Sequence, residues 1–391
     1  MVTIQSADNV LKSYYLDAIK ESIDVKANPL LAMVEKKSVN VVGKDVRKAV
    51  RVGVGGNVMA GSETGDLPTG ASTTHVQLVS SLKNLYGTIE ISDKALRASA
   101  NDDGAFVNLL NEEMDALYKN VKFNFGRMLY GDGSGVLSYA QEFIGNMVKV
   151  SNIHNFVEGM YVDFYNINED PIEGLQARKI IGVDHINEFL YLEGAVDAPE
   201  SVSGVGIYLH GSKDCDLTGL EAIFDPDFEL YGIDKSETAY AFMKSNVKYN
   251  VGDITDELMQ ETIDATEEQS GERINLIVTT NGVKRALCKY LREQGIVLPT
   301  IEIKGGFKAL DFNGIPLVTD RFCPKGAMYF LNTNDFVLHQ LCDWKWLEGE
   351  DGKILKQVPG KPVYTATLVK YAELMCDRPC GQAKLCDINE A

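Results

Sequence analysis

Histidine is scarce in this chain: there are five, and no two stand at the HxxxH or HxH spacing that would set two imidazoles on one metal ion. No G-x-S-x-G elbow, HExxH or CxxC occurs, so no local signature nominates a hydrolase, a metalloprotease or a redox pair. Positive charge is short as well. Lys and Arg number 38 against 56 Asp and Glu, a formal charge of −18, which argues against a nucleic-acid binder held by phosphate neutralisation. No apolar run approaches the ~18 residues that cross a membrane. The first 25 residues carry Asp8, Asp17, Glu21 and Asp24 where a signal peptide has its apolar core. An intracellular, soluble chain is the expectation. The seven cysteines fit it, being odd in number. Four are scattered, and Cys376, Cys380 and Cys386 follow a C-x3-C-x5-C spacing that matches no common zinc pattern, so free thiols are expected.

What is present is an ordinary globular mixture, 45% apolar and 24% charged, in a chain of 391 residues, long enough for two or three domains with cores. Residues 1–35 read as an arm, with Val10, Leu11, Tyr14, Tyr15, Ala18 and Ile19 at helical intervals, before Pro29 breaks the pattern. From 36 to 84, two β-branched runs flank the polar, glycine-rich stretch GGNVMAGSETGDLPTGAS, the pattern of a long β-hairpin. A hairpin alone is marginal and needs a partner surface. Its first strand carries Lys44, Arg47, Lys48 and Arg51 close together, a local inversion in an acidic chain. Two readings stand: a solvated edge guarded by cations, or a basic strip that contacts an acidic neighbour.

The most regular segment follows. Phe106, Leu110, Met114, Leu117, Val121, Phe125 and Met128 keep steps of three and four, predicting one long helix with a continuous apolar face. It runs into Gly131-Asp132-Gly133-Ser134-Gly135. That glycine loop follows a helix, where carbonyls point outward, whereas a phosphate loop precedes one. It also lacks the Lys-Ser/Thr pair of a nucleotide loop and the alternating carboxylates of a calcium loop. The expectation is a helix C-cap, with Gly131 left-handed and Asp132 and Ser134 bonding the turn. The run GVGGN at 53–57 sits on the hairpin and predicts no nucleotide site. Residues 140–213 then show five short strand-like runs at close spacing, suggesting a small barrel. Beyond 214, helices and strands mix without regular alternation, which predicts an α+β fold.

The order of these parts resembles a tailed-bacteriophage major capsid protein. The segments carrying the resemblance are LYGTIEISDKALRAS (85–99), LYGDGSGVL (129–137), GLEAIFD (219–225), LYGID (230–234) and GGFKALDFNGIPLVTD (305–320). The resemblance implies an N-terminal arm (1–35), an extended hairpin loop lying over a neighbour (36–84) and a peripheral domain with a spine helix (85–139). An inserted small β-barrel (140–213), an axial domain with connecting segments (214–335) and a return to the periphery (336–391) follow. It implies a structural protein without catalytic, cofactor or metal site, which assembles with itself as hexamers and pentamers into an icosahedral virion shell in the host cytoplasm. Its further partners would be a separate scaffolding protein, a portal protein and a decoration protein, with double-stranded DNA enclosed without specific binding and no membrane. Lys44, Arg47, Lys48 and Arg51 are the candidate intersubunit contacts. An encapsulin-like shell is the alternative, and a soluble enzyme or ligand-binding protein with a barrel module is a more distant one.

Overall fold

The computed structural model describes residues 28–37, 41–52, 58, 60–62, 64, 66, 72–94, 103–194, 196–197, 199, 201–227, 229–296, 299–303, 306–349 and 352–390. The helical spacing at 10–19 and the GVGGN run lie outside them.

The strand Val363–Cys376 is the axis of the molecule. Rich in Val, Thr and Tyr, it suits a pleated surface. One edge pairs antiparallel with Lys83–Ser92, from Val363 opposite Ser92 to Ala372 opposite Lys83. The other edge pairs with Phe336–Trp346 and Lys356–Gln357, and Glu35–Lys37 adds a parallel strand outside Phe336–Trp346. Leu85, Gly87, Ile89 and Ile91 alternate inward along Lys83–Ser92.

The spine helix, Asp103–Met128, is about 39 Å long at ~1.5 Å per residue. Met114, Leu117, Val121, Phe125 and Met128 are buried, as the spacing predicts. Two glycines allow its close approach. A Cβ on Gly87 would stand 2.8 Å from Leu117 Cδ1, and one on Gly126 would stand 2.7 Å from the Phe322 ring. Under the helix lies Lys370, wholly buried, its ammonium donating to Asp343 Oδ1 (2.7 Å) and Gln340 Oε1 (2.9 Å) and standing 5.6 Å from the Phe125 ring centroid.

A second, seven-stranded sheet runs in the order Asn246–Lys248, Ala383–Leu385, Met328–Leu331, Leu276–Thr279, Ile315–Thr319, Phe307–Phe312, Thr300–Ile303. One face, with Leu276, Val278, Tyr329 and Leu331, shares the core of the spine helix. The other buries Ile277, Leu317, Met328 and Phe330 beneath the helices Asp256–Ser270 and Asn281–Glu293. Each of those helices opens on a threonine cap: Thr255 accepts from the Leu258 N–H and Thr280 from the Val283 N–H, both at 3.2 Å.

One expectation is corrected here. Pro29 starts a helix, Pro29–Met33, where a missing N–H is no loss, and Asn28 Oδ1 caps it by accepting from Leu30 (2.8 Å). The stretch 327–339 forms two strands in different sheets, separated at the 3-10 turn Thr333–Asp335. Residues 336–391 supply strands to both sheets. Pro379 cannot continue a ladder and opens a 3-10 turn, after which Ala383–Leu385 joins the seven-stranded sheet.

Between the spine helix and the second sheet, six strands close a barrel: Val136–Ile144, Met147–Val150, Tyr161–Tyr165, Arg178–Asp184, Phe189–Leu192 and Gly206–Leu209. Its core is its own, built on Val148, Val162, Phe164, Ile180, Leu190 and Ile207. The first strand lies partly ahead of the 140–213 range and escapes the sequence reading, because Ser138, Gln141 and Glu142 interrupt its apolar pattern.

The spine helix stops against the short helix Leu220–Phe224, which lies in the segment GLEAIFD. The Tyr130 and Gly131 N–H groups turn back to the carbonyls of Arg127 (3.0 Å) and Met128 (3.2 Å), and the Leu220 N–H reaches the Leu129 carbonyl at 2.9 Å. A Cβ on Gly219 would lie 2.5 Å from Met128 O and 2.6 Å from Leu129 O and Gly131 O. Gly131 is not the left-handed residue expected; Gly133 (φ 96°) and Gly135 (φ 84°) are. Gly219→Ala is therefore expected to cost ~2–3 kcal/mol by overpacking rigid backbone. Gly131→Ala, with nothing nearer than 3.6 Å to its Cβ, is expected to stay within ~0.5 kcal/mol. Urea denaturation of the two variants checks the ranking, and equal losses contradict it.

Candidate functional site

The hairpin stem is where the basic candidates lie. Asp45–Arg51 pairs antiparallel with His75–Ser81, from Asp45 opposite Ser81 to Arg51 opposite His75. Val46 and Leu78 are fully buried in the main core, and Val50 and Val76 are partly buried against it. The root is pinned by the Val79 N–H to the Tyr231 carbonyl (3.1 Å) and the Leu82 N–H to the Lys44 carbonyl (2.9 Å). Tyr231 is itself tied down: its hydroxyl accepts from the Cys376 N–H (2.9 Å), the last residue of the axial strand. The segment LYGID thus connects the hairpin to that strand.

The four candidates do not form one strip. Side chains alternate along a strand, so Arg47 and Arg51 face solvent while Lys48 points with Val46 and Val50 toward the core. The Lys48 ammonium pairs with Asp377 of the same chain. Arg47 has only Asp45 at 3.8 Å, and Lys44 is exposed at the turn before the strand. The period-two pattern was present in the sequence and suffices to separate Lys48 from its neighbours.

The glycine loop is occupied by its own groups. Asp132 Oδ1 accepts from the Ser134 N–H (2.9 Å) and hydroxyl (2.5 Å), and Ser134 Oγ accepts from the Val136 N–H (3.3 Å). The Ser134 carbonyl takes the Asp214 N–H at 2.7 Å, joining the loop to the far end of the barrel. Among the described residues, no group of three or more His, Cys, Asp or Glu is placed to hold a metal ion. A cavity of about 500 Å³ lies between Lys83–Ser92, the spine helix and residues 209–216, bordered by Tyr86, Asn120, Asn124 and Cys215. No histidine lines it, so its thiol has no imidazole to activate it.

Sequence reasoning gave no sign of the buried charges. Lys235 is buried, and its ammonium donates to three carbonyls at the end of the helix Leu220–Phe224: Ala222 (2.8 Å), Ile223 (3.0 Å) and Asp225 (2.6 Å). Burial lowers it to about 8. It follows LYGID directly and so locks that segment to GLEAIFD. Burial alone would raise the Asp343 carboxyl, but the Lys370 ammonium beside it holds it below the usual range. Inside the barrel, Asp163 accepts from the Ala177 N–H (2.7 Å), the Gly211 N–H (3.0 Å) and His210 Nδ1 (2.8 Å).

Glu373, on the axial strand, is fully buried, with Oε1 accepting the Thr218 N–H at 2.9 Å. Burial pushes its carboxyl up to about 7, against the pull of Thr218 and Lys83. The folded chain therefore holds this proton more tightly than the unfolded one, whose carboxyl titrates near 4.5. Stability falls as pH rises from about 4.5 to about 7. Glu373→Gln is expected to gain up to about 3 kcal/mol at pH 8, and progressively less toward pH 4.5. A gain that is the same at acid and alkaline pH in urea titrations contradicts this assignment.

No family model and no curated protein matches the chain in sequence. Solved structures match it in shape. The cyanophage A-1(L) capsid superposes with a TM-score of 0.54 at 14% identity, covering 93% of this chain and 93% of that one. The holo-SrpI encapsulin complex from Synechococcus elongatus PCC 7942 gives 0.48 at 9% identity over 93% and 89%. The capsid of a native GTA particle gives 0.48 at 12% over 93% and 91%. At these identities the likeness fixes the fold. On the first of these matches, the chain has the α+β fold of a phage capsid protein.

Proposed function

We propose that this chain is a major capsid subunit, assembling with itself as hexamers and pentamers into an icosahedral shell that encloses double-stranded DNA. The observation that carries the reading is the superposition on a phage capsid subunit over 93% of both chains. The hairpin supports it: only Val46 and Leu78 of its stem are fully buried, so the rest of its surface is open to a neighbour. Large apolar side chains also stand exposed on the barrel, among them Ile167, Ile181 and Ile186, where a decoration protein or a second subunit would cover them. In this reading 36–84 is the extended loop, the spine helix belongs to the periphery, and 214–335 holds the axial domain. Scaffolding and portal proteins are separate partners, and the acidic charge keeps the enclosed DNA unbound.

Lys44, Arg47 and Arg51 are then intersubunit cations, while Lys48 serves its own subunit through Asp377. The purified chain, with and without scaffold, is expected to give shells or hexameric rings in negative stain. A compact monomer in the ultracentrifuge under every assembly condition sinks the reading. Nuclease-protected DNA in particles made in the host separates a phage shell from an encapsulin-like compartment. The double variant Arg47→Glu/Arg51→Glu is expected to weaken assembly most at low ionic strength, where screening is slight. Lys48→Ala is expected instead to destabilise the unassembled chain by about 1 kcal/mol. If the Arg47/Arg51 variant assembles like the parent at every salt concentration, the two arginines are only a solvated edge.

A further inference from the structure

Two helices on the outer face of the seven-stranded sheet carry opposite charge in the same rhythm. On Asp256–Ser270 the exposed acids are Glu257, Glu261, Asp264 and Glu268, a single stripe at steps of four, three and four, and the helix has no Lys or Arg at all. On Asn281–Glu293 the exposed cations are Arg285, Lys289 and Arg292, at steps of four and three, with Lys284 half-exposed beside them. The opposite faces of both helices are apolar and hold the sheet through Met259, Ile263, Val283 and Leu287. The helices are neighbours, since the Tyr290 hydroxyl donates to Asp256 Oδ1 at 2.9 Å.

Three of the four cations stand clear of the acidic stripe within the subunit. Among the described residues, no carboxylate lies within 4.0 Å of Lys284, Lys289 or Arg292. One described cation paired with the acidic stripe is Lys248, 3.0 Å from Glu261 and outside both helices. The cations also border a surface hollow that contains Cys288.

We propose that the basic stripe of one copy docks on the acidic stripe of the next, so that this helix pair is a head-to-tail contact between subunits of the shell proposed above. The occupant is a second copy because the chain itself supplies the complement in the same helical repeat: the cations from Arg285 to Arg292 span ~11 Å and fit within the ~17 Å from Glu257 to Glu268. Nucleic acid fits worse, because a phosphate backbone on the cations would run beside the adjacent acidic helix. A contact between two different patches is heterologous, and heterologous contacts close into rings when the rotation permits. This inference rests on the shell reading and names one of its interfaces.

The test is a charge exchange in the full chain. One variant is Lys284→Glu/Lys289→Glu/Arg292→Glu; the other is Glu257→Lys/Asp264→Lys/Glu268→Lys. All six positions are at least partly exposed, and circular dichroism and melting of the unassembled chains verify that both still fold. Each variant alone is expected to lose assembly by about tenfold or more at low ionic strength. An equal mixture is expected to recover six-membered rings, in which the two variants alternate, but no five-membered rings, since an odd ring forces two like stripes together. Wild-type shells with variants that assemble equally well, or a mixture that recovers nothing, overturn this contact and leave the shell reading standing. Wild-type chain that never assembles overturns both. Duplex DNA that binds the wild-type chain and is released by the first variant makes the stripe a nucleic-acid surface and overturns the proposal in that way.

Discussion

The strand Val363–Cys376 is bonded along both edges, and nearly everything else is placed by what those edges and faces require. A strand in the middle of a sheet has no free ladder, so its neighbours must come from distant parts of the chain: Lys83–Ser92 before the spine helix, Phe336–Trp346 after the second sheet. Burying Lys370 and Glu373 on such a strand is costly unless partners are supplied. Lys370 finds Asp343 and Gln340 on the adjacent strand, together with the Phe125 and Trp344 rings. Glu373 takes a hydrogen bond from the Thr218 amide, and its burial holds the carboxyl proton up to about pH 7. That amide belongs to the segment that ends the spine helix, so the position of the helix is tied to the strand beneath it.

From this centre the order of the fold weakens outward. The two sheets share one core, since one face of the seven-stranded sheet packs into the cluster that holds the spine helix. The barrel has a core of its own and meets the rest through a few polar links, notably the buried pair Arg127–Asp216 (2.7 Å) and the Lys83 ammonium on the Asp214 carbonyl (3.0 Å). The described stem of the hairpin lays one face, Val46 and Leu78 with Val50 and Val76 beside them, on the main core and leaves the other to solvent. A chain arranged in this way has a self-sufficient centre and elements whose remaining surface, in the proposed shell, another subunit would complete.

The sequence made the local elements legible because their signals are local. The three-and-four spacing from Met114 to Met128 foretold the buried face of the spine helix. What was not legible depended on contacts far apart in the chain. Nothing near Ala383 says that it will lie beside Asn246, and nothing near Gly219 says that it will meet three carbonyls of the spine helix. The basic candidates fall between these cases. Lys48 could have been set apart from Arg47 and Arg51 by strand alternation, but its partner Asp377, 329 positions later, could not have been found.

The central claim is that the subunit's core is complete alone while its hairpin is completed by a neighbour. Amide hydrogen exchange, measured on the unassembled chain and on assembled particles, tests it residue by residue. The claim requires Val363–Cys376 to be among the slowest-exchanging segments in both forms, and Asp45–Arg51 and His75–Ser81 to exchange fast alone and slowly in the particle. Hairpin amides protected equally in the two forms, or an axial strand protected only after assembly, would contradict it.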